Sequence, residues 1–371
     1  MTASKIVLNA ASGVGGAGLN VEEVFSTYLY TGTGSAQTIT NGIDLSGEGG
    51  LVWQKGRSSA YDHQLTDTER GAGNTITTVN TSAEATRDSV NQFNSDGFVV
   101  GGEGDTNASG QTYVSWTFRK AKKFFDVVTW TGDGAGTRDI PHNLGTTVGM
   151  IVMKQTQSTL YDWFVYHRGY TSNTGRLNVT GAFGSGSLIL RPTPSQETTH
   201  FQVSGTYNGS GETHVAYLFA HNNNDGDFGP DGDADIIKCG SYTGNGSSTG
   251  PVINLGFEPQ WLLIKNASSS ANWELVDSMR DFRTPKINVG LQALNPNLSN
   301  AEAEGRAYGA TATGFSIVDN HGDVNTNGDT YIYIAIRRGP MAVPESATEV
   351  FDISVTNYSA NQTIAANIDV T

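Results

Sequence analysis

Lys55, Lys154 and Lys265 each close a short apolar run, and Arg70, Arg168 and Arg280 each follow the next run along the chain. Asp67 and Asp277 stand just before Arg70 and Arg280, whereas His167 immediately precedes Arg168. A Lys/Asp/Arg set repeated in this way could form a ligand subsite in each repeat, or a catalytic trio that two units keep and the third has lost. A cation at a strand end, however, usually lays its stem along apolar surface and leaves its head in water or on a carboxylate. Structural ion pairing is therefore the favoured reading, with a ligand subsite per repeat as the alternative.

Other chemistries lack a starting constellation. Sugar cleavage needs two carboxylates facing each other across a bond, and Asp62, Asp67, Glu69 and Asp105 are available but fall in turn-like segments. His142, His167, His200, His214, His221 and His321 show no HxxxH or HExxH spacing, and the single Cys239 removes thiolate zinc sites. No GxSxG elbow or GK[ST] loop occurs. Gly13 to Gly18 matches GxGxxG in letters, but a β-type pattern follows where a dinucleotide site needs a helix. The loop 225–235 gathers Asp225, Asp227, Asp231, Asp233 and Asp235 and could offer oxygen ligands to calcium, although it lacks EF-hand spacing; no other cofactor is expected. Trp53, Trp163, Trp261 and Trp273 fall on buried-strand positions and are expected in the core rather than stacked on sugar.

The elements that must position these residues come in copies. FDVVTWTGDG leads to MIVMK at Lys154, and IIKCGSYTGNG leads to WLLIK at Lys265. FSTYLYTGTG, ending at Gly34, likewise leads to LVWQK at Lys55. Gly32, Gly132 and Gly244 hold the same place in each Thr-Gly-x-Gly turn. Openings repeated at intervals of about a hundred residues mark homologous units. The units expected are 25–120, 121–221 and 235–340, preceded by a leader or docking arm at 1–24. Residues 345–371 repeat the opening of unit one and read as the start of a fourth unit or a strand-donating tail.

Short β-rich runs with frequent turn signals and almost no helical period predict an all-β fold of tandem antiparallel β-sandwiches, jelly-roll-like, of about 100 residues each. Alternation is blurred in 150–153 and 261–264, as expected of strands covered on both faces. Set in series, the units are expected to make a rod or arc with few contacts between distant copies. Asn300 to Gly305 reads as a possible helical turn.

With 36 acidic against 22 basic residues the net charge is −14, which argues against phosphate backbones and anionic lipid. No apolar run reaches the length of a membrane helix. One cysteine permits no internal disulfide.

The leader ending in GGAGLNVEEVFSTYLYTGTG, the phrase SYTGNG…GPVINLGFEPQWLLIK and the closer GDTYIYIAIRR resemble the repeat domains of virion structural and tail-fibre proteins of tailed marine phages, cyanophage-like ones in particular. The resemblance implies no catalytic residues. It implies a virion component assembled in the host cytoplasm, a homo-oligomer with a trimer favoured, attached through its N-terminal region to other virion proteins and projecting β-domains for host adsorption. The alternatives are a glycan-binding module that reads a host surface glycan and, less favoured, a polysaccharide depolymerase.

Overall fold

The structure, a computed structural model, describes residues 18–171, 173–184, 189–190, 198–285 and 290–341. It is almost all β. Each unit pairs a large antiparallel sheet with a small one. In unit one the large sheet runs in the order Phe25–Thr31, Thr112–Arg119, Gly50–Gly56, Gln64–Asp67, Asn74–Thr77 and Ala85–Thr86. The small sheet holds Gln37–Thr40, Gly97–Val100 and Val90–Asn94.

Unit two repeats this plan with Phe125–Thr131, Thr213–Ala220, Val148–Gln155, Phe164–His167 and Gly175–Arg176. Thr137–Pro141, His200–Ser204 and Ile189–Leu190 form its small sheet. Unit three uses Ile237–Thr243, Thr330–Arg337, Pro259–Asn266 and Trp273–Asp277, faced by Val252–Asn254, Gly314–Ile317 and Tyr308–Thr311.

Successive side chains of a strand point to opposite faces, and the central strands use both. Val52, and in unit three Leu262 and Ile264, point into the unit's own core between its two sheets. Their neighbours Leu51, Trp53, Trp261 and Leu263 point the other way, into one cluster shared by all three units. Phe118 meets Phe219 of unit two at 5.6 Å and Trp261 of unit three at 5.8 Å between ring centroids. This is why alternation blurs in the sequence: both faces are dry, and Val148–Gln155 is buried along its whole length.

The expected rod is therefore wrong. Unit three packs on unit one as unit two does, and the three close into a ring about the shared core. A rod would leave the second face of each large sheet in water, at a cost of about 1.5–3 kcal/mol for each large apolar side chain.

Three smaller expectations also change. Residues 71–95 are polar and Asn/Thr/Ser-rich with no clear period, which predicts a long excursion, yet they supply three strands. In 300–305, read as a helical turn, Ala303–Glu304 is a short strand paired with Gln292–Ala293. Within the arm expected over 1–24, the chain is docked from Gly18 on: Gly18 donates to the Gly229 carbonyl at 3.0 Å, and Val21 and Val24 are fully buried. The remainder of that arm, and the repeat at 345–371, lie outside the described residues. No helix among the described residues is long and apolar enough to cross a membrane.

Candidate functional site: three equivalent joints

The strand registers define which residues correspond. Leu51 faces Asp67, Met150 faces His167 and Trp261 faces Asp277, so Asp67, His167 and Asp277 are one position. Counting onward, the counterparts of Arg70 are Tyr170 and Arg280. Arg168, which the sequence suggested for that place, is out of step.

The three lysines do not reach water. Each is fully buried and donates to backbone carbonyls, some of them in the next unit. Lys154 donates to Ser158 and Tyr161 of its own unit and to Thr81 of unit one at 3.1 Å. Lys265 donates to Ala271 and to Thr180 of unit two at 2.8 Å. Lys55 donates to Gly56 and to Ser299 and Asn300 of unit three, at 3.2 and 2.9 Å. Burial pulls all three ammonium groups down to about 8, with Asp62 opposing it at Lys55.

The joint continues on either side of the lysine. Trp163 donates its indole N–H to Thr77 of unit one at 2.8 Å, and Trp273 does so to Arg176 of unit two at 3.0 Å. The corresponding residue of unit one is His63, which is buried and accepts from the Trp53 indole at 2.9 Å. Farther along, the amides of Glu84, Phe183 and Glu302 donate to the carbonyls of Thr156, Ala267 and Arg57 at 2.7, 2.9 and 2.8 Å. Every unit thus receives one polar segment from a neighbour and gives one to the other, a pseudo-threefold plan.

The acidic position completes it. Asp277 accepts from the Trp116 indole of unit one at 2.9 Å, and Asp67 accepts from the Tyr217 hydroxyl of unit two at 2.8 Å. His167 instead donates through Nε2 to the Tyr333 carbonyl of unit three at 3.0 Å, and burial pushes its pKa down to about 3. Asp67 and Asp277 bind Arg70 and Arg280 at 2.7 Å, and those arginines reach Glu84 and Glu302. The ion pairing read from sequence is present in units one and three. In unit two the same place holds Tyr170 against Phe183, ring edge to face at 5.7 Å. Arg168 stays apart; its amide donates to Gly149 at 2.9 Å.

Gly32, Gly132 and Gly244 are needed for close approach: a Cβ there would overlap the carbonyls of Ala108, Gly209 and Thr326. The left-handed residue of each turn is the second glycine, Gly34, Gly134 or Gly246, with φ of 73°, 81° and 66°. Three buried asparagines that sequence reasoning passed over hold these turns. Asn107, Asn208 and Asn325 accept through Oδ1 from the amides of Thr33, Asp133 and Asn245 at 2.9, 3.2 and 2.8 Å. Their signal was present as NASGQT, NGSGET and NTNGDT.

All six tryptophans are buried, but Trp53, Trp163, Trp261 and Trp273 do not share one position; only Trp163 and Trp273 correspond. Asp67, one of the carboxylates considered for sugar cleavage, is fully buried in its ion pair rather than solvated. In the loop 225–235, Asp225 accepts from Asn223 and Thr146, Asp227 pairs with Lys123 at 2.6 Å, and Asp235 accepts from Asn224 and Gly226. No group of three His, Cys, Asp or Glu suited to a metal ion occurs among the described residues. Burial pushes the Cys239 thiol up, so it is an inert core residue.

A family described as a domain of unknown function, DUF7483, matches residues 21–340. The chain belongs to the DUF7483 family. The match begins at buried Val21 and ends at Pro340, so the DUF7483 domain is the whole ring and not one sandwich. Neither the curated proteins nor the solved structures give a match.

Proposed function

We propose that the chain is a virion structural protein, a tail fibre or particle appendage that attaches to the virion and presents β-domains for host adsorption. The observation that carries this reading is the closed ring. The three repeated lysines, and the Asp/Arg pairs of units one and three, are taken up inside its joints, where they hold three sandwiches together. A protein whose repeated lysines and Asp/Arg pairs serve assembly fits a mechanical role, and the sequence resemblance to phage structural proteins points the same way. No catalytic role is proposed.

The homotrimer expected from that resemblance becomes, in this reading, three units of one chain. Gly18 and Met341 both lie beside the loop around Gly229, and Met341 donates to Glu22 at 3.1 Å. The segments flanking the ring therefore leave it from one place, which suits attachment to other virion proteins on that side.

Mass spectrometry of purified particles, with immunogold labelling of this chain, tests the reading. Stoichiometric presence at a fixed station on the particle supports it; abundance in the lysate with absence from particles refutes it. Light scattering at one chain mass supports the built-in trimer, and a mass of three chains refutes that part.

A further inference from the structure

The three joints share one plan, and one place where they differ is the surroundings of Glu84, Phe183 and Glu302. Where unit three meets unit one, Glu302 is held on both oxygens, by Arg280 at 3.0 Å and by Arg57 at 2.7 Å. Where unit two meets unit three, the Tyr170 and Phe183 rings fill the space. Where unit one meets unit two, Glu84 keeps Arg70 at 2.7 Å, but the counterpart of Arg57 is Thr156. The shorter side chain leaves a cleft of about 410 Å³, in the range of small-molecule sites.

Its walls are rich in acceptors. Glu69, Glu84, Thr129 and Thr156 line it, and Trp130 and His214 stack at 4.9 Å with planes 8° apart to form an aromatic wall. Neither ring nitrogen of buried His214 makes a well-formed hydrogen bond, and the Glu212 carboxylate stands off at 3.9 Å. In units one and three this place is a tyrosine whose hydroxyl bonds the loop backbone, Tyr113 to Gly104 and Tyr331 to Gly322. Of the charged groups that line it, Glu69 and Glu84 are carboxylates and Arg70 is a cation, so the lining carries one surplus negative charge.

We propose that this cleft binds a saccharide unit bearing an amine. Glu84 takes the ammonium where Arg57 serves Glu302, the exposed Thr129 and Thr131 hydroxyls take sugar hydroxyls, and the buried Trp130–His214 stack closes the floor of the cleft. The inference deepens the adhesive reading above and supplies a receptor chemistry for it.

Ligand-observed NMR on the full chain with glucosamine, glucose and glucuronate is the test. Glucosamine is expected to bind most tightly and glucuronate least. Thr156→Arg rebuilds on Glu84 the pair already present at Glu302, and is expected to lower glucosamine affinity at least tenfold without lowering the melting midpoint. Arg57→Thr is expected to open a second site and raise the stoichiometry from one to two. If Thr156→Arg fails to fold, Glu84→Gln replaces it and should abolish the preference for glucosamine over glucose. Absence of glucosamine binding, tighter glucuronate binding, or affinity unchanged in these Thr156 and Glu84 variants overturns the proposal. A binding failure leaves the virion reading standing, and absence of the chain from particles leaves the binding result standing.

Discussion

The amide of Glu302 donates to the carbonyl of Arg57 at 2.8 Å, binding the last unit to the first. The same bond joins Glu84 to Thr156 and Phe183 to Ala267, so no unit has a free end. Closure makes the stability of each sandwich a property of its neighbours. A fragment spanning 25–120 would expose Leu51, Trp53, Trp116 and Phe118 and lose the Ser299 and Asn300 carbonyls that hold Lys55. It is expected to be insoluble or to bind hydrophobic dyes, while calorimetry of the whole chain should give one cooperative transition. Three separate transitions, or a soluble fragment with native-like near-UV dichroism, would contradict the closed ring.

Arg280 ties unit three to unit one. It is fully buried, binds Asp277 and Glu302, and lies 5.3 Å over the Trp116 ring of unit one. Arg280→Ala leaves Asp277 buried without its cation and Glu302 with Arg57 alone, at an expected cost of about 3–5 kcal/mol. A double-mutant cycle with Glu302→Gln, read by urea denaturation, should show strong coupling; additive losses would mean that the pair contributes nothing as a pair.

The three lysines give a pH signature whose sign is opposite to that of an ordinary salt bridge. Their folded pKa of about 8 lies below the 10.5 of the unfolded chain, so between those values the unfolded state binds more protons. The burial penalty is in full force below pH 8 and is relieved as pH rises toward 10, where buried tyrosines with raised pKa, such as Tyr113 at about 12, begin to act the other way. The melting midpoint should therefore rise between pH 8 and 10. In Lys154→Met the rise should shrink, and at pH 7 the variant should lose about 1–3 kcal/mol because the carbonyls of Thr81, Ser158 and Tyr161 lose their donor. A wild-type midpoint that falls steadily over this range would refute the assignment.

Much of this was legible in the chain. The Thr-Gly-x-Gly turns, the three lysines and the two complete Asp/Arg pairs were visible as letters at fixed intervals. What covers the lysines was not, because segments 77–84, 176–183 and 295–302 share no pattern of residue types, and their common property is a backbone path. Arg168 misled because unit two replaces the Arg–Glu pair by Tyr170 and Phe183, and a search by charge passes over an aromatic substitute. The rod was inferred from repeats in series. Yet the blurred alternation of 150–153 and 261–264 required a second covered face, and only neighbouring units could supply it.

Among the described residues, Glu274 is the one carboxyl in unit three's own core with an oxygen that lacks a partner. It is 3% exposed, Asn295 reaches only Oε1 at 3.3 Å, and the buried Tyr308 hydroxyl is also unpaired. Burial, helped by nearby Asp323, pushes its pKa up to about 8 from 4.5. Between those values the folded state holds a proton that the unfolded state releases, so stability falls as pH climbs from 4.5 toward 8 and the loss is complete above 8. Glu274→Gln keeps the shape and cannot ionise. It is expected to match the wild type near pH 4 and to exceed it by about 1–3 kcal/mol at pH 8. Parallel denaturation curves of the two proteins at all pH values would show that Glu274 does not bear this strain.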